Sequence, residues 1–218
     1  MYTQDMNIDQ KLTRAQVALD NAMSDESIKA LLLPFKYDDA RLQEGKDLYN
    51  QASETNRKQQ IEYAEQFQAT EDFKNLLKEG NEAYMDAVKI ARIALRDNTE
   101  KTVALGLNGL RKASFSGWSG QAQQFFSNAL ADPDVIAAMS IYGFDESILQ
   151  TLQSKVQAVI DANTKQEKEK GEAQAATKER DTLIDQLDRW MSDFKVIAQI
   201  ALRGNDQWLE KLGLGVVP

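Results

Sequence analysis

The chain contains one stretch twice, as DAVKIARIALRDNTEKTVALGL at residues 86–107 and as DFKVIAQIALRGNDQWLEKLGL at residues 193–214. The two occurrences are 107 positions apart and align without a gap. Over residues 37–107, 22 of 71 positions are identical to the residue 107 positions downstream. Chance agreement at average composition is roughly one in fifteen. The sequence therefore predicts a tandem duplication, with a first repeat of residues 1–107 and a second repeat of residues 108–218.

Composition favours an all-α protein. Only 3 Pro and 11 Gly interrupt 218 residues, and Ala, Leu, Gln, Glu and Lys, which are good helix formers, dominate. Apolar residues make up 42% of the chain, which is enough for a sizeable core at this length.

The residue types that are absent exclude much of the usual site chemistry. Without Cys there is no disulfide or thiolate site, and without His the commonest general base and metal ligand are missing. Di-metal helical bundles need Glu-x-x-His motifs, so that class is excluded. No EF-hand, phosphate loop or dinucleotide fingerprint occurs. We therefore expect no metal, no cofactor and no enzymatic activity.

Charge and hydropathy bear on partners and location. The net charge is −8, and no basic patch offsets it, so we do not expect nucleic-acid binding. The longest aliphatic run, Ala30–Leu33, is too short to span a bilayer, and the polar N-terminus lacks an apolar signal core. The sequence favours a cytoplasmic protein. A surface-associated protein whose leader lies outside this sequence is the alternative.

Each repeat predicts the same series of helices. A first helix is expected over about Asp9–Met23 and again over about Ser119–Leu130, followed by a short helix, a long helical region and a last short helix. Gly106 and Gly213 are expected in the left-handed conformation after that last helix. The predicted N-caps are Asp9, Asp25, Asp38 and Asn98 in the first repeat and Ser119, Asp132, Asp145 and Asn205 in the second.

The long helical regions predict the architecture. Near-equal lengths on either side of Thr70 and Thr177 favour a turn at each threonine, with an unbroken helix as the alternative. With turns, residues 38–97 and 145–203 form two long helical hairpins. We expect them to pack as an antiparallel four-helix bundle with short capping helices, or else as two bundles side by side.

The ends of these hairpins are apolar nearly all round, as in Val88-Lys89-Ile90-Ala91-Arg92-Ile93-Ala94-Leu95. Helices of that kind are buried on most sides. Ile93 and its counterpart Ile200 are therefore expected to be buried.

Matched charges flank these ends and form the first candidate site. Asp86, Arg96, Asp193 and Arg203 could line a polar pocket between the repeats that binds an anion or a carboxylate. In the alternative interpretation, the arginines neutralise helix C-termini and the aspartates extend into solvent.

The second candidate lies in the Gly/Ser-rich loop Ala113–Gly120, which is expected to join the repeats. Aromatic side chains in such a loop often anchor a partner, so Phe115 and Trp118 are candidate partner-binding residues. Alternatively, both rings fasten the loop to the core.

The seam of the long helices turns polar at Asn56 and Gln59, and again at Asn163 and Gln166. A buried polar layer of this kind sets helix register. The alternative is a ligand site at the bundle centre.

The tail FKVIAQIALR at 194–203, ending in LGL at 212–214, resembles the tail of uncharacterised bacterial helical-bundle proteins. The resemblance implies a bacterial, all-helical protein and no particular activity or site.

The leading functional hypothesis is a non-enzymatic helical interaction or scaffold protein with a protein partner. The alternative is a small-ligand binder or an enzyme with a polar pocket between the two repeats. The chain is expected to be a monomer, in which the duplication replaces a dimer, or a weak homodimer.

Overall fold

The structure is a computed structural model and describes residues 6–215. Within that range the chain forms eight α-helices and a short 3-10 turn and contains no strand, so the all-α prediction is confirmed. Among these helices, none combines the length and the apolar character that crossing a bilayer requires. The helices are α1 (Ile8–Ser24), α2 (Glu26–Leu32), α3 (Asp39–Ala94), α4 (Thr99–Ala104), α5 (Phe115–Ala131), α6 (Pro133–Ser140), α7 (Glu146–Ala201) and α8 (Asp206–Lys211).

The helix boundaries of the second repeat follow those of the first at a constant interval. α1 and α5 have 17 residues each, α3 and α7 have 56 each, and α4 and α8 have six each. In every pair the first residues are 107 positions apart: 115 − 8, 146 − 39 and 206 − 99. α2 and α6 also begin 107 positions apart, at Glu26 and Pro133.

α3 and α7 are unbroken, so the predicted turns at Thr70 and Thr177 are wrong. Neither threonine caps a helix. The hydroxyl of Thr70 donates to the carbonyl of Gln66 over 2.9 Å, and that of Thr177 donates to the carbonyl of Ala173 over 2.8 Å. These are the bonds that a mid-helix threonine makes to the preceding turn. Without the turns, neither α3 nor α7 is a hairpin of the predicted four-helix bundle.

The chain divides into two compact units. Unit 1 takes in the described residues up to Tyr63 and from Glu172 onward, and unit 2 takes in Ala64–Gly171. Each unit therefore contains helices from both repeats. Unit 1 combines α1, α2 and the first part of α3 with the second part of α7 and α8, and unit 2 combines the remaining parts.

The core of unit 1 is centred on aromatic rings from both repeats. Trp190 stacks on Phe194 with ring centroids 5.2 Å apart, and Tyr37 packs edge-on against Trp190 at 5.7 Å. Gly45 of α3 makes room for the indole, since a Cβ at that position would lie 2.6 Å from Trp190. The glycine is thus required by the close approach of α3 to a large side chain on α7.

The core of unit 2 is also built from both repeats. Tyr84 of α3 packs edge-on against Phe125 of α5 with centroids 5.8 Å apart, and Phe125 packs against Phe126 at 5.1 Å. Leu149 of α7 is fully buried in the same cluster.

One hydrogen bond recurs in the two units at corresponding residues. In unit 1, the amide of Asn21 on α1 donates to the carbonyl of Lys211 on α8 over 2.7 Å. In unit 2, the amide of Asn128 on α5 donates to the carbonyl of Ala104 on α4 over 2.6 Å. Both donors and both acceptors are 107 positions apart. In each unit, the short last helix of one repeat therefore docks on the first helix of the other.

Most predicted N-caps are confirmed. Asp38 accepts from the backbone N–H of Arg41, and Asp145 accepts from that of Ile148, each over 2.9 Å. Asn98 accepts from Lys101 over 3.1 Å. Asn205 occupies the N-cap position of α8 without a side-chain hydrogen bond.

The two first helices begin earlier than predicted. Asn7 caps α1 in a reciprocal capping box with Gln10, which replaces Asp9 as the cap. Ser114, not Ser119, caps α5. The expected Gly/Ser-rich linker is therefore mostly the first two turns of α5.

Gly106 and Gly213 adopt φ values of 61° and 65°, which confirms their prediction as left-handed residues. Each follows a short helix whose last carbonyls accept from the glycine and from the residue after it.

Candidate interaction surface

The predicted charged residues of the first repeat lie on the exposed side of α3 in unit 2. Asp86 forms an ion pair with Lys89 over 2.8 Å, one turn along the same helix. Arg96 follows the last turn of α3 and donates from Nε to the carbonyl of Ile93 over 3.4 Å. That contact places a positive charge at a helix C-terminus, where it is stabilising.

The corresponding residues of the second repeat, Asp193 and Arg203, lie in unit 1 and are also exposed. Neither side chain has a hydrogen bond or ion pair to any of residues 6–215. Asp193 acts at a distance on Tyr37. Burial raises the pKa of Tyr37, Arg41 opposes this shift, and the negative charge of Asp193 adds to it.

Within neither unit does the aspartate pair with the arginine of the same repeat, among the residues that the structure describes. Asp86 and Arg96 belong to unit 2, and Asp193 and Arg203 belong to unit 1. The four residues share a different property, which is their exposure: the aspartates lie on α3 and α7, and the arginines lie in the turns that follow these helices.

Ile93 and Ile200 lie on these exposed faces, so the prediction that they are buried is wrong. The two residues are 41% and 43% exposed. The core side of α3 is set by Ala87, Ala91 and Leu95, which are nearly inaccessible. Ile93 lies two residues from both Ala91 and Leu95, and at about 100° per residue it points about 200° away from them. The helix end is apolar all round but buried on one side only.

On α7 and in the turn that follows it, two apolar residues and two charges form an exposed row that we call the α7 strip: Asp193, Val196, Ile200 and Arg203. Val196 is 55% exposed, and the spacings of three and four residues keep Asp193, Val196 and Ile200 on one face of the helix. The opposite face of the helix carries Trp190, Phe194 and Ala198 into the core of unit 1.

The corresponding row on α3, the α3 strip, consists of Asp86, Lys89, Ile93 and Arg96. Three of its four residues are identical to those of the α7 strip. Lys89 stands where α7 has Val196, and it already neutralises Asp86. The α3 strip is thus less apolar, and its charges are satisfied within the chain.

The two candidate partner-binding aromatics contribute to the interior of unit 2. Trp118 is 7% exposed, and its indole N–H donates to Asn81 over 3.0 Å. Phe115 stacks on Trp118 at 6.0 Å and packs edge-on against Phe73 at 5.4 Å. This placement corresponds to the alternative interpretation, in which the rings fasten the start of α5 to the core.

The polar positions of the long helices make cross-helix contacts within each unit. In unit 1, Gln59 of α3 accepts from Arg180 of α7 over 2.9 Å. In unit 2, Gln166 of α7 donates to Thr70 of α3 over 3.4 Å. Contacts of this kind fit a layer that sets helix register.

Ion pairs hold the N-termini of the second and sixth helices in similar ways. In unit 1, Lys211 of α8 donates to Asp25, the N-cap of α2, over 2.7 Å. This contact, with backbone N–H donors of α2, holds the pKa of Asp25 below its ordinary value. In unit 2, Lys101 of α4 donates to both carboxylate oxygens of Asp132 over 2.8 Å, and the pKa of Asp132 is lowered for the same reasons.

A cleft of about 550 Å³ lies between α5 and α7 in unit 2. Its lining carries amides and hydroxyls over an apolar floor and no titratable side chain. The lining residues are Gln123, Phe126, Ser127, Gln153, Ser154, Val156 and Gln157. This cleft therefore provides no general acid, general base or charged ligand.

Comparison with known proteins adds no relative, since no protein-family model, curated protein or solved structure matches this chain. The resemblance of the tail to bacterial helical-bundle proteins stays a prediction.

Sequence reasoning selected the charged ends of the two strips but missed Ile93, Ile200 and Val196 as their exposed apolar centres. The signal was present in the helical phase. Ala87, Ala91 and Leu95 fix the core side, and counting from them places Ile93 on the far side.

Proposed function

We propose that the protein is a non-enzymatic helical interaction protein whose docking surfaces are the α3 and α7 strips. The observation that carries this proposal is the exposure of an isoleucine at the same position of both repeats. Single exposed apolar residues are normal on protein surfaces, and the weight of this isoleucine comes from its recurrence between the same two charges. The repeats have diverged at 49 of 71 positions (71 − 22), and yet both keep this residue between an aspartate and an arginine.

We further propose that the chain arose by tandem duplication of a helical unit of about 107 residues. Three observations support this: the sequence identities, the helix boundaries at a constant interval, and the equivalent hydrogen bonds of Asn21 and Asn128. A duplication would give each chain two related docking surfaces.

The cleft of unit 2 holds no catalytic group, and so we propose no enzymatic activity there. Its lining offers hydrogen bonds but no proton transfer and no nucleophile of lowered pKa. The exposed strips offer an apolar centre flanked by charges, which is how interaction surfaces are commonly built.

Site-specific photo-crosslinking in the native cells tests the proposal. A photoreactive residue replaces Ile93 or Ile200, and matched controls carry it at Gln43 or Gln150, which are exposed on α3 and α7 and identical between the repeats. We expect discrete crosslinked products from positions 93 and 200. We also expect that reversing the charge of the flanking aspartate abolishes them.

The controls should give no such products. The proposal fails if positions 93 and 200 yield the same products as the controls, or if charge reversal leaves the products unchanged.

A further inference from the structure

We infer that the α7 strip docks onto the α7 strip of a second molecule of this chain, with the two helices antiparallel. The inference rests on the proposed function, because it identifies the partner of one of the two proposed docking surfaces.

Charge complementarity is the first reason. The strip begins with an acid, Asp193, and ends with a base, Arg203, and it is apolar between them. Turning a second helix around by a two-fold rotation places its Arg203 opposite Asp193, and its Asp193 opposite Arg203. Val196 then faces Ile200 of the other molecule, because these two residues lie equally far from the midpoint of the strip, as Asp193 and Arg203 also do. Each residue thus meets a complementary one, as a self-paired two-fold interface requires.

The second reason is that both charges are free. Asp193 and Arg203 make no hydrogen bond or ion pair with any of residues 6–215. Neither would need to break an internal contact in order to pair with another molecule. The spacing of three and four residues from Asp193 to Ile200 is also the a/d spacing along which antiparallel helices pack, and Arg203 follows in the turn that ends the helix.

The α3 strip shows why the inference is specific to α7. Reversing that strip against itself would place Ile93 opposite Lys89, and an ammonium would meet an apolar side chain. Asp86 and Arg96 also already have partners within the chain. The α3 strip therefore serves as an internal control that has the same charges and lacks self-complementarity.

The size of the contact sets its strength. The strip covers only eleven positions and spans roughly 15 Å, so the contact area is far below the roughly 800 Å² per partner of a standard interface. The dimer should accordingly be weak and reversible, with a dissociation constant of about 0.1 mM or above.

Sedimentation equilibrium of the full chain, over protein concentrations that bracket this value, tests the inference. We expect a monomer–dimer equilibrium. Asp193→Arg alone, or Arg203→Asp alone, should weaken the dimer by at least about tenfold, because both symmetry-related ion pairs become repulsive. The double variant Asp193→Arg/Arg203→Asp should restore wild-type association, since the reversed charges again face their opposites.

The control variants Asp86→Arg and Arg96→Asp should leave the association unchanged, and far-UV circular dichroism should show native helicity for every variant. Val196→Asp provides a second test that keeps both charges, and it should also weaken the dimer.

Three results would overturn the inference: a monomer at all concentrations, single reversals that associate like wild type, or a double variant that stays weak. Crosslinks from position 200 to a different protein, without self-association, would overturn this inference and leave the proposed function standing. Self-association without any crosslink at position 93 or 200 would overturn both the inference and the proposed function, because the two molecules would then meet through a surface other than the α7 strip.

Discussion

The two repeats contain a matched pair of turns that place a lysine and a glycine at the same left-handed position, and this pair gives a sharp test of backbone strain. Lys36 has φ of 67°, and it is the only non-glycine residue with positive φ in the range 6–215. Its counterpart is Gly143, with φ of 79°. Both turns are closed by the same hydrogen bonds: Lys36 N–H to Leu33 and Gly143 N–H to Ser140, each over 3.0 Å. We predict that Lys36→Gly stabilises the protein and that Gly143→Lys destabilises it.

The magnitude follows from two opposing terms. A left-handed conformation costs a residue with a Cβ about 1–2 kcal/mol. Glycine returns about 0.4–1 kcal/mol of that through the greater entropy of the unfolded chain. The net gain for Lys36→Gly is therefore about 0.5–1 kcal/mol. The Lys36 side chain has no hydrogen bond or ion pair to other described residues, so its removal should cost little.

Gly143→Lys should change stability by the same amount with the opposite sign. A Cβ at Gly143 meets no atom within 4 Å, so the cost would be conformational and not steric. The assay is urea unfolding followed by far-UV circular dichroism, with a constant m value as the condition for comparing midpoints. A lower midpoint for Lys36→Gly, or an unchanged one for Gly143→Lys, would refute the assignment of strain to this turn.

Three further predictions concern packing, pH and chain connectivity. Gly45→Ala should destabilise the protein by about 1–3 kcal/mol in urea unfolding, because the new methyl group would lie 2.6 Å from an indole ring. Gly171→Ala should stabilise the protein by about 0.5–1 kcal/mol in the same assay, because Gly171 lies inside a helix and has open space around it. The lowered pKa of Asp25 adds to the free energy of unfolding above the ordinary carboxyl pKa of about 4, and this contribution is lost as the pH falls through the folded-state pKa. The free energy of unfolding of Asp25→Asn should therefore fall less than that of wild type as the pH is lowered through this range. After cleavage at a protease site inserted into residues 108–112, both fragments should elute together in size-exclusion chromatography, because the core of each unit contains residues from both fragments. Separation of the fragments would contradict this composition of the cores.

Local signals were predicted well because their physics is local. Asp38, Asp145 and Asn98 cap helices through bonds to N–H groups three residues away, which the sequence alone can indicate. Gly106 and Gly213 were identified because only glycine adopts positive φ without strain.

Features that depend on distant partners were not predicted. Thr70 suggested a turn, but its hydroxyl bonds to the preceding turn of the same helix, and a sequence pattern does not distinguish these two roles. The mixing of repeats within each unit depends on contacts such as Asn21 with Lys211, 190 positions apart. No local rule specifies which of two similar short helices docks at which site.

The strips show a third kind of limit. Their charged ends were selected because they repeat, but the apolar centre was assigned to the core on hydrophobicity alone. Val196 has no apolar counterpart in the first repeat, so the comparison of the repeats did not indicate that it belongs to an exposed surface.

The order of the two units along the chain has a consequence for biosynthesis. Unit 2 is one continuous segment, and it lies between the two segments of unit 1. A ribosome that has released Gly171 has delivered all of unit 2, while Phe194 and Leu212, which share the core of unit 1 with α1, have yet to be translated. At about 5–20 residues per second, the amino-terminal helices wait on the order of seconds for their partners. During that interval their apolar faces are open to chaperones and to neighbouring nascent chains, a hazard that a protein made of two consecutive units would avoid.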